Sequence, residues 1–217
     1  MNIEQARFNM IEQQIRPWQV LDQGVLSLLA AVKREDFVPP ACRALAFFDI
    51  EVPLPEGQAM LAPKVEARLL QALHLARHER VLEVGAGSGH MAALLAHKAQ
   101  HVYTLEIRPA LAAMAAANLR NAGVANATVV AADGAHGLPA EAPFDAIVLS
   151  GSVAEVPQAL LDQLKAGGRL VAIVGQEPMM CALLVTRVAQ AHFKRVELFD
   201  TVAPRLLGFP EPPAFRF

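Results

Sequence analysis

Three acids and a run of glycines are the residues whose types and spacing suit chemistry. Val81-Leu82-Glu83-Val84 leads into Gly85-Ala86-Gly87-Ser88-Gly89, so glycine recurs at every second position of a turn. Without Cβ atoms the backbone there can bend sharply and lie close to a ligand. A helix starting just beyond it would turn its unpaired N–H groups toward the same ligand. Glu83, two residues before the first glycine, is expected to face that ligand, where an acid repels a phosphate and attracts a cation. Glu106 follows Gly89 by 17 residues and suits acceptance of two ribose hydroxyls. Asp133-Gly134 supplies a third carboxylate, suited to an adenine amino group, although Asp-Gly alone is more often only a turn.

These acids narrow the choice of ligand. A dinucleotide fingerprint asks for glycine at position 90, and this chain has His90. S-adenosylmethionine carries a sulfonium and an ammonium and no phosphate. The acid at Glu83 therefore favours that cofactor over a nicotinamide dinucleotide.

The elements that must position these residues alternate. Arg80 to Val84, Val102 to Leu105, Ala127 to Ala131, Phe144 to Leu149 and Arg169 to Val174 are short apolar runs expected to be strands. Helical stretches separate the first of them: His90 to Lys98, and Pro109 to about Leu119, closed near Gly123. Strands alternating with helices imply βαβ units, a parallel sheet and right-handed crossovers that place helices on both faces. Ala182 to Val188 and Arg195 to Val202 are expected to add two strands antiparallel to each other. The expected fold is α/β, a doubly wound and mostly parallel seven-stranded sheet. Glu83 with the glycines, Glu106, and Asp133 then end three successive strands at the edge where open α/β sheets bind ligands.

The first part of the chain has a different texture. Asn2 precedes a helical pattern that Arg16-Pro17 ends, and Asp22 caps a second pattern carrying Val25, Leu28, Leu29 and Val32. Val52-Pro53-Leu54-Pro55-Glu56-Gly57 reads as loop, and Pro63 opens a third helix with Val65, Leu69, Leu70 and Leu73. Residues 1–75 are thus expected to form a helical cap with acceptor-side loops. Residues 76–217 are expected to form the cofactor-binding core of the same compact unit.

Composition excludes several classes. The 217 residues are 54% hydrophobic and 18% charged, which excludes intrinsic disorder. A net charge of −2 argues against wrapping nucleic acid phosphates, so no nucleic acid partner is expected. No window reaches the apolar length of a membrane span, and the first residues hold no apolar signal core. Cys42 and Cys181 are too few and too far apart for a disulfide framework. A cytoplasmic protein is expected, with no membrane partner and an oligomeric state left open.

Beyond this core, the chain resembles the protein-L-isoaspartate O-methyltransferases along nearly its whole length. The resemblance is carried by Val20-Leu21-Asp22, Lys33-Arg34-Glu35-Asp36-Phe37-Val38-Pro39, Ala46-Phe47-Phe48-Asp49 and Val81 to Gly89. It continues through Asp133-Gly134, Ala142-Pro143-Phe144-Asp145-Ala146-Ile147, Val156-Pro157, Gln163 to Gly168 and Val174-Gly175. The glycine loop is common to methyltransferases generally, whereas the Arg-Glu-x-Phe-Val-Pro block is more specific. The resemblance implies methyl transfer from S-adenosylmethionine to the free carboxylate of an L-isoaspartyl residue in a damaged protein or peptide. It implies cofactor binding by Glu83, Gly85, Gly87, Gly89, Glu106, Asp133 and Gly134. It also marks Asp49 and Ser150 as candidates for the acceptor pocket. One departure stands out: where the family has a hydroxyl in a Thr-Ile-Ser-x-Pro-like loop, this chain has Ala59-Met60-Leu61-Ala62-Pro63, with Leu61 at that position. The alternatives are a diverged methyltransferase with another acceptor and a cofactor-binding protein without turnover.

Other residue groups carry less. His74 and His78 are four apart, but no acid lies between them as in zinc proteases, and no metal is expected. His90, His97 and His101 follow no ligand spacing. Ser150 and Ser152 follow the fourth strand, where hydrogen bonding within a loop is the plainer reading.

Overall fold

The computed structural model describes residues 2–211. The sheet arises where the apolar runs predict it. Strands β1 (Val52–Pro53) and β2 (Ala59–Met60) form a small antiparallel ribbon, with Val52 opposite Met60. The main sheet holds β3 (Arg80–Val84), β4 (His101–Glu106), β5 (Ala127–Ala131), β6 (Phe144–Val153), β7 (Leu164–Gln176), β8 (Met179–Ala189) and β9 (His192–Asp200). Their spatial order is β5-β4-β3-β6-β7-β8-β9. The pairings from β5 across to β7 are parallel, and β8 and β9 each run antiparallel to their neighbour. The chain steps outward from β3 to β4 and β5, then crosses back to place β6 on the other side of β3. That reversal opens a crevice at the carboxyl ends of β3, β4 and β6.

One face of the sheet carries most of the helices. These are α1 (Ile3–Asn9), α2 (Gln23–Ala31), α3 (Pro63–Leu73), α4 (His90–Lys98) and α5 (Pro109–Asn121). Asn2 and Asp22 cap α1 and α2 by accepting backbone N–H groups, and Pro63 and Pro109 begin α3 and α5. Beyond Asn9 the first helix continues as a wider turn over Met10–Ile15 and then tightens at Arg16–Trp18, where Pro17 stops it. Met10, Ile15, Leu29, Leu69, Leu94 and Val148 belong to one continuous apolar core, so the cap packs directly onto the sheet.

The opposite face differs from the expected double winding in detail. The β5–β6 connection contains no helix, because Gly134, Gly137 and Pro139 interrupt it. Among the described residues only the single turn α6 (Gln158–Leu161) lies on that side, where Leu160 and Leu161 join Leu82, Phe144, Ile147 and Phe209 in a second core. The expected loop at 52–57 is in part the β1–β2 ribbon. The last two strands are longer than expected, and Val202 lies beyond β9. Among the described residues no helix is long and apolar enough to cross a membrane.

Candidate active site

The glycine loop is stitched to the end of β4 by backbone hydrogen bonds from Gly85 and Ala86 to the Leu105 carbonyl, at 2.9 and 3.1 Å. Gly87 has φ of +51°, a left-handed conformation that costs a side-chain-bearing residue about 1–2 kcal/mol. Its N–H donates to Oε2 of Glu106 at 2.9 Å, and the Arg108 N–H donates to Oε1 at 3.0 Å. Glu106 is buried at the end of β4, with one backbone donor on each oxygen. Each carboxylate oxygen has a second lone pair, so the group can still accept a ligand hydroxyl.

A cleft of about 60 Å³ opens here, lined by Gly85, Gly87, Glu106, Gly134 and Ser150. The strands therefore bring together five of the residues named from the sequence. Gln58 and Ala59 of the cap form one wall. Glu56 on the same cap loop pairs with Arg108 at 2.9 Å. The other wall is a strap running through Pro204, Arg205, Leu206 and Leu207. The strap is pinned to β6: the Ser152 N–H donates to the Pro204 carbonyl, the Leu206 N–H donates to the Ser152 carbonyl, and the Ser152 hydroxyl donates to Ala203. Leu206 lies so near the glycine loop that a Cβ on Gly85 would fall 2.8 Å from its Cδ2. Both arginines lining the cleft are already paired, Arg108 with Glu56 and Arg205 with Glu211.

Behind the cleft lies a smaller inner cavity of about 30 Å³, room for one or two water-sized groups. Leu61, Glu66, Glu83, Gly87 and Ser150 are among its lining residues. Glu83 is not the open anion expected from the sequence. It is wholly buried, and it accepts hydroxyl hydrogen bonds from Thr104 and Ser150, both at 2.7 Å. Burial pushes its carboxyl up to about 8, against the lowering effect of the two hydroxyls, with the nearby Glu66 and Glu106 adding to the rise. At neutral pH Glu83 is therefore mostly protonated. Ser150 is occupied in holding Glu83, and Leu61 is buried with its carbonyl accepting from Arg34.

Three of the residues named from the sequence stand elsewhere. Gly89 does not line the cleft: a Cβ there would fall 3.1 Å from the Ala115 carbonyl oxygen, so its position serves the close packing of α4 on α5. Asp133 accepts the Ala135 N–H at 2.9 Å and stays exposed, with the strap at Gly208 passing beside its carboxylate. Asp49 lies on the cap, paired with Lys64 at 2.6 Å, outside both cavities. Sequence reasoning missed Thr104, the strap, and the buried Arg34, Glu66 and His90. A signal for Glu66 was present, since it precedes Leu69, Leu70 and Leu73 at helical spacing on a buried stripe, where a lone charge needs partners.

A parallel sheet with a glycine loop, a pinned acid on the next strand and a ligand cleft at the switch point defines a nucleoside-cofactor-binding α/β enzyme. Residues 5–201 match the family described as protein-L-isoaspartate(D-aspartate) O-methyltransferase (PCMT). Relatives named protein-L-isoaspartate O-methyltransferase include one from Koribacter versatilis, 39% identical over 93% of this chain and 90% of the relative. Another, from Rhodopseudomonas palustris, is 43% identical over 94% of this chain and 96% of the relative. The chain belongs to the protein-L-isoaspartate O-methyltransferase family. Its fold superposes with a TM-score of 0.80 on a solved structure of that name, at 24% identity and covering 93% of this chain and 66% of the other. It also superposes with a TM-score of 0.78 on a Plasmodium falciparum beta-aspartate methyltransferase (PCMT) in complex with S-adenosyl-L-homocysteine, at 20% identity and covering 91% of this chain and 96% of the other.

Proposed function

We propose that this protein is an S-adenosylmethionine-dependent enzyme that methylates the carboxylate of L-isoaspartyl residues in damaged proteins and peptides. The observation that carries the reading is the cleft itself, at the end of the strands that hold Gly87 and Glu106, in a chain of this family. The cleft chemistry fits the cofactor. Glu106 keeps lone pairs for ribose hydroxyls, and the left-handed Gly87 leaves room for close approach. Both lining arginines are neutralised by carboxylates, which suits a ligand without phosphate. Glu83, Glu106, Gly85, Gly87 and Gly134 are the residues we assign to the cofactor side, with the exposed Asp133 beside the strap.

When bound, S-adenosylmethionine supplies a methyl group activated on a sulfonium. The rest falls to the chain. An isoaspartyl carboxylate is ionised at pH 7, so no general base is needed. What the enzyme must supply is alignment and exclusion of water. Burial raises the Glu83 carboxyl and so favours its uncharged form beside an incoming carboxylate, and the Glu66 charge is offset by Arg34. The apolar walls at Leu61, Met60 and Leu54 exclude water from the inner cavity. Two thiols, Cys42 and Cys181, are free and half-buried, which suits the reducing cytoplasm we assign to the protein.

The test is transfer of a tritiated methyl group to a synthetic isoaspartyl peptide, with the aspartyl peptide of the same sequence as control. Transfer to the isoaspartyl peptide alone is expected. Cofactor binding by calorimetry with no transfer to either peptide would overturn the assigned acceptor.

A further inference from the structure

Glu66 sits where three segments meet. It is buried on the first turns of α3 and lines the inner cavity. The Arg34 guanidinium, from a tight turn of the cap at Arg34–Asp36, pairs with its Oε2. The other Arg34 fork, Nη2, donates to the Leu61 carbonyl at 2.6 Å. On the far side, Nδ1 of His90 lies 3.0 Å from the same Glu66 oxygen. His90 is the first residue of α4 and follows the glycine loop directly. Its ring also meets Phe37 edge-on, with centroids 5.3 Å apart.

One carboxylate thus links the cap, the Ala59–Leu61 segment and the glycine loop. Burial alone would raise the Glu66 carboxyl, but the Arg34 charge and the His90 contact outweigh it and hold it below the ordinary range. As a source of stability such a cluster is poor, since well-packed apolar residues often do as well. What it adds is direction. A forked guanidinium on a carboxylate and a carbonyl sets distance and angle together, which apolar contact does not.

We propose that Arg34, Glu66 and His90 form a positioning unit for methyl transfer, setting the gap between the acceptor-side wall at Ala59–Leu61 and the cofactor-side glycine loop. This inference rests on the function proposed above. It concerns the Ala59–Leu61 segment, which is held through the Leu61 backbone carbonyl. None of the three residues need touch the reacting atoms.

The experiment compares wild type with Glu66→Gln, Arg34→Lys and His90→Asn. The readouts are Tm, the dissociation constant of S-adenosylhomocysteine by calorimetry, and kcat and KM for the isoaspartyl peptide. Glu66→Gln is expected to weaken S-adenosylhomocysteine and to lower kcat, each by about ten-fold, the loss of one charge-assisted hydrogen bond. Arg34→Lys keeps a charge opposite Glu66 but loses the fork that also reaches Leu61, so Tm should drop modestly while kcat of the folded enzyme falls several-fold. In His90→Asn the amide nitrogen can stand in for Nδ1, and near-normal affinity is expected. A purely structural cluster would behave differently: Tm and the folded fraction would drop, while the affinity, KM and kcat of the folded enzyme stayed within two-fold of wild type. That result overturns the proposal, and Arg34→Lys decides the matter if Glu66→Gln fails to fold. Should wild type bind S-adenosylhomocysteine but methylate no isoaspartyl peptide, the acceptor assignment fails. A weakened dissociation constant in Arg34→Lys or Glu66→Gln would still support positioning, and an unchanged one would refute it. Wild type that binds no S-adenosylhomocysteine overturns both readings.

Discussion

Replacing Glu83 with glutamine removes a proton-binding group that the fold makes unusually basic. The carboxyl rises from an ordinary 4.5 to about 8 because it is wholly buried. Between those two values the folded protein holds a proton that the unfolded chain has released. Stability from this group is therefore complete below pH 4.5 and is lost as pH climbs through 8. At 1.36 kcal/mol per pH unit the loss between pH 5 and pH 8 is about 4 kcal/mol. Glutamine cannot ionise and carries no such loss. Its amide offers one acceptor and one donor, as the protonated carboxyl does, so the Thr104 and Ser150 hydroxyls keep their partners. The assay is urea denaturation of both proteins without cofactor at pH 5, 6, 7, 8 and 9. Other titrating groups are common to both and largely cancel in the difference. The Glu83→Gln protein should match wild type at pH 5 to within about 1 kcal/mol and be clearly more stable at pH 9. Two parallel curves would refute the reasoning, because they would mean that Glu83 titrates as an ordinary surface acid.

Glu106→Ala should weaken S-adenosylmethionine by about 1–3 kcal/mol in calorimetry, since the charged acceptor is lost and the Gly87 and Arg108 N–H groups lose their partner. Gly87→Val should abolish cofactor binding. The left-handed φ and a Cβ 3.3 Å from Leu54 Cδ1 force the loop to move, and a folded, non-binding protein by circular dichroism and calorimetry is the expected result. Leu61→Ser should cost about 2–5 kcal/mol in denaturant unfolding, as for other large-to-small core changes, because Leu61 is 5% exposed.

Some elements were legible in the sequence to the residue. Arg80–Val84, His90–Lys98 and Ala127–Ala131 end where the sequence reading places them. Glycine, proline or a change of hydrophobic period marks those borders locally. The ends of β6 and β7 were not legible. β6 runs past Leu149 to Val153 because Ser152 pairs with Ile173 of β7 and with the strap, and neither partner is visible in the local pattern. The site shows the same division. Gly87 and Glu106 were found because a loop and a strand end announce them. Arg34 and His90 were missed because a lone charged or imidazole side chain reads as solvated until its distant partner is known. Glu83 was placed at the right strand end, but its charge state depends on Thr104 and Ser150, 21 and 67 residues away in sequence.

The strap from Ala203 to Phe209 has a consequence for truncation. All seven strands of the main sheet precede it in the chain, and the two apolar cores are nearly complete by Asp200. A chain cut after Asp200 therefore keeps every strand of the sheet and loses one wall of the cleft. Ser152 at the edge of β6 would then lack Pro204 and Leu206, and the second core would lack Phe209. The sheet and the closed place for the cofactor are thus specified by separable stretches of sequence.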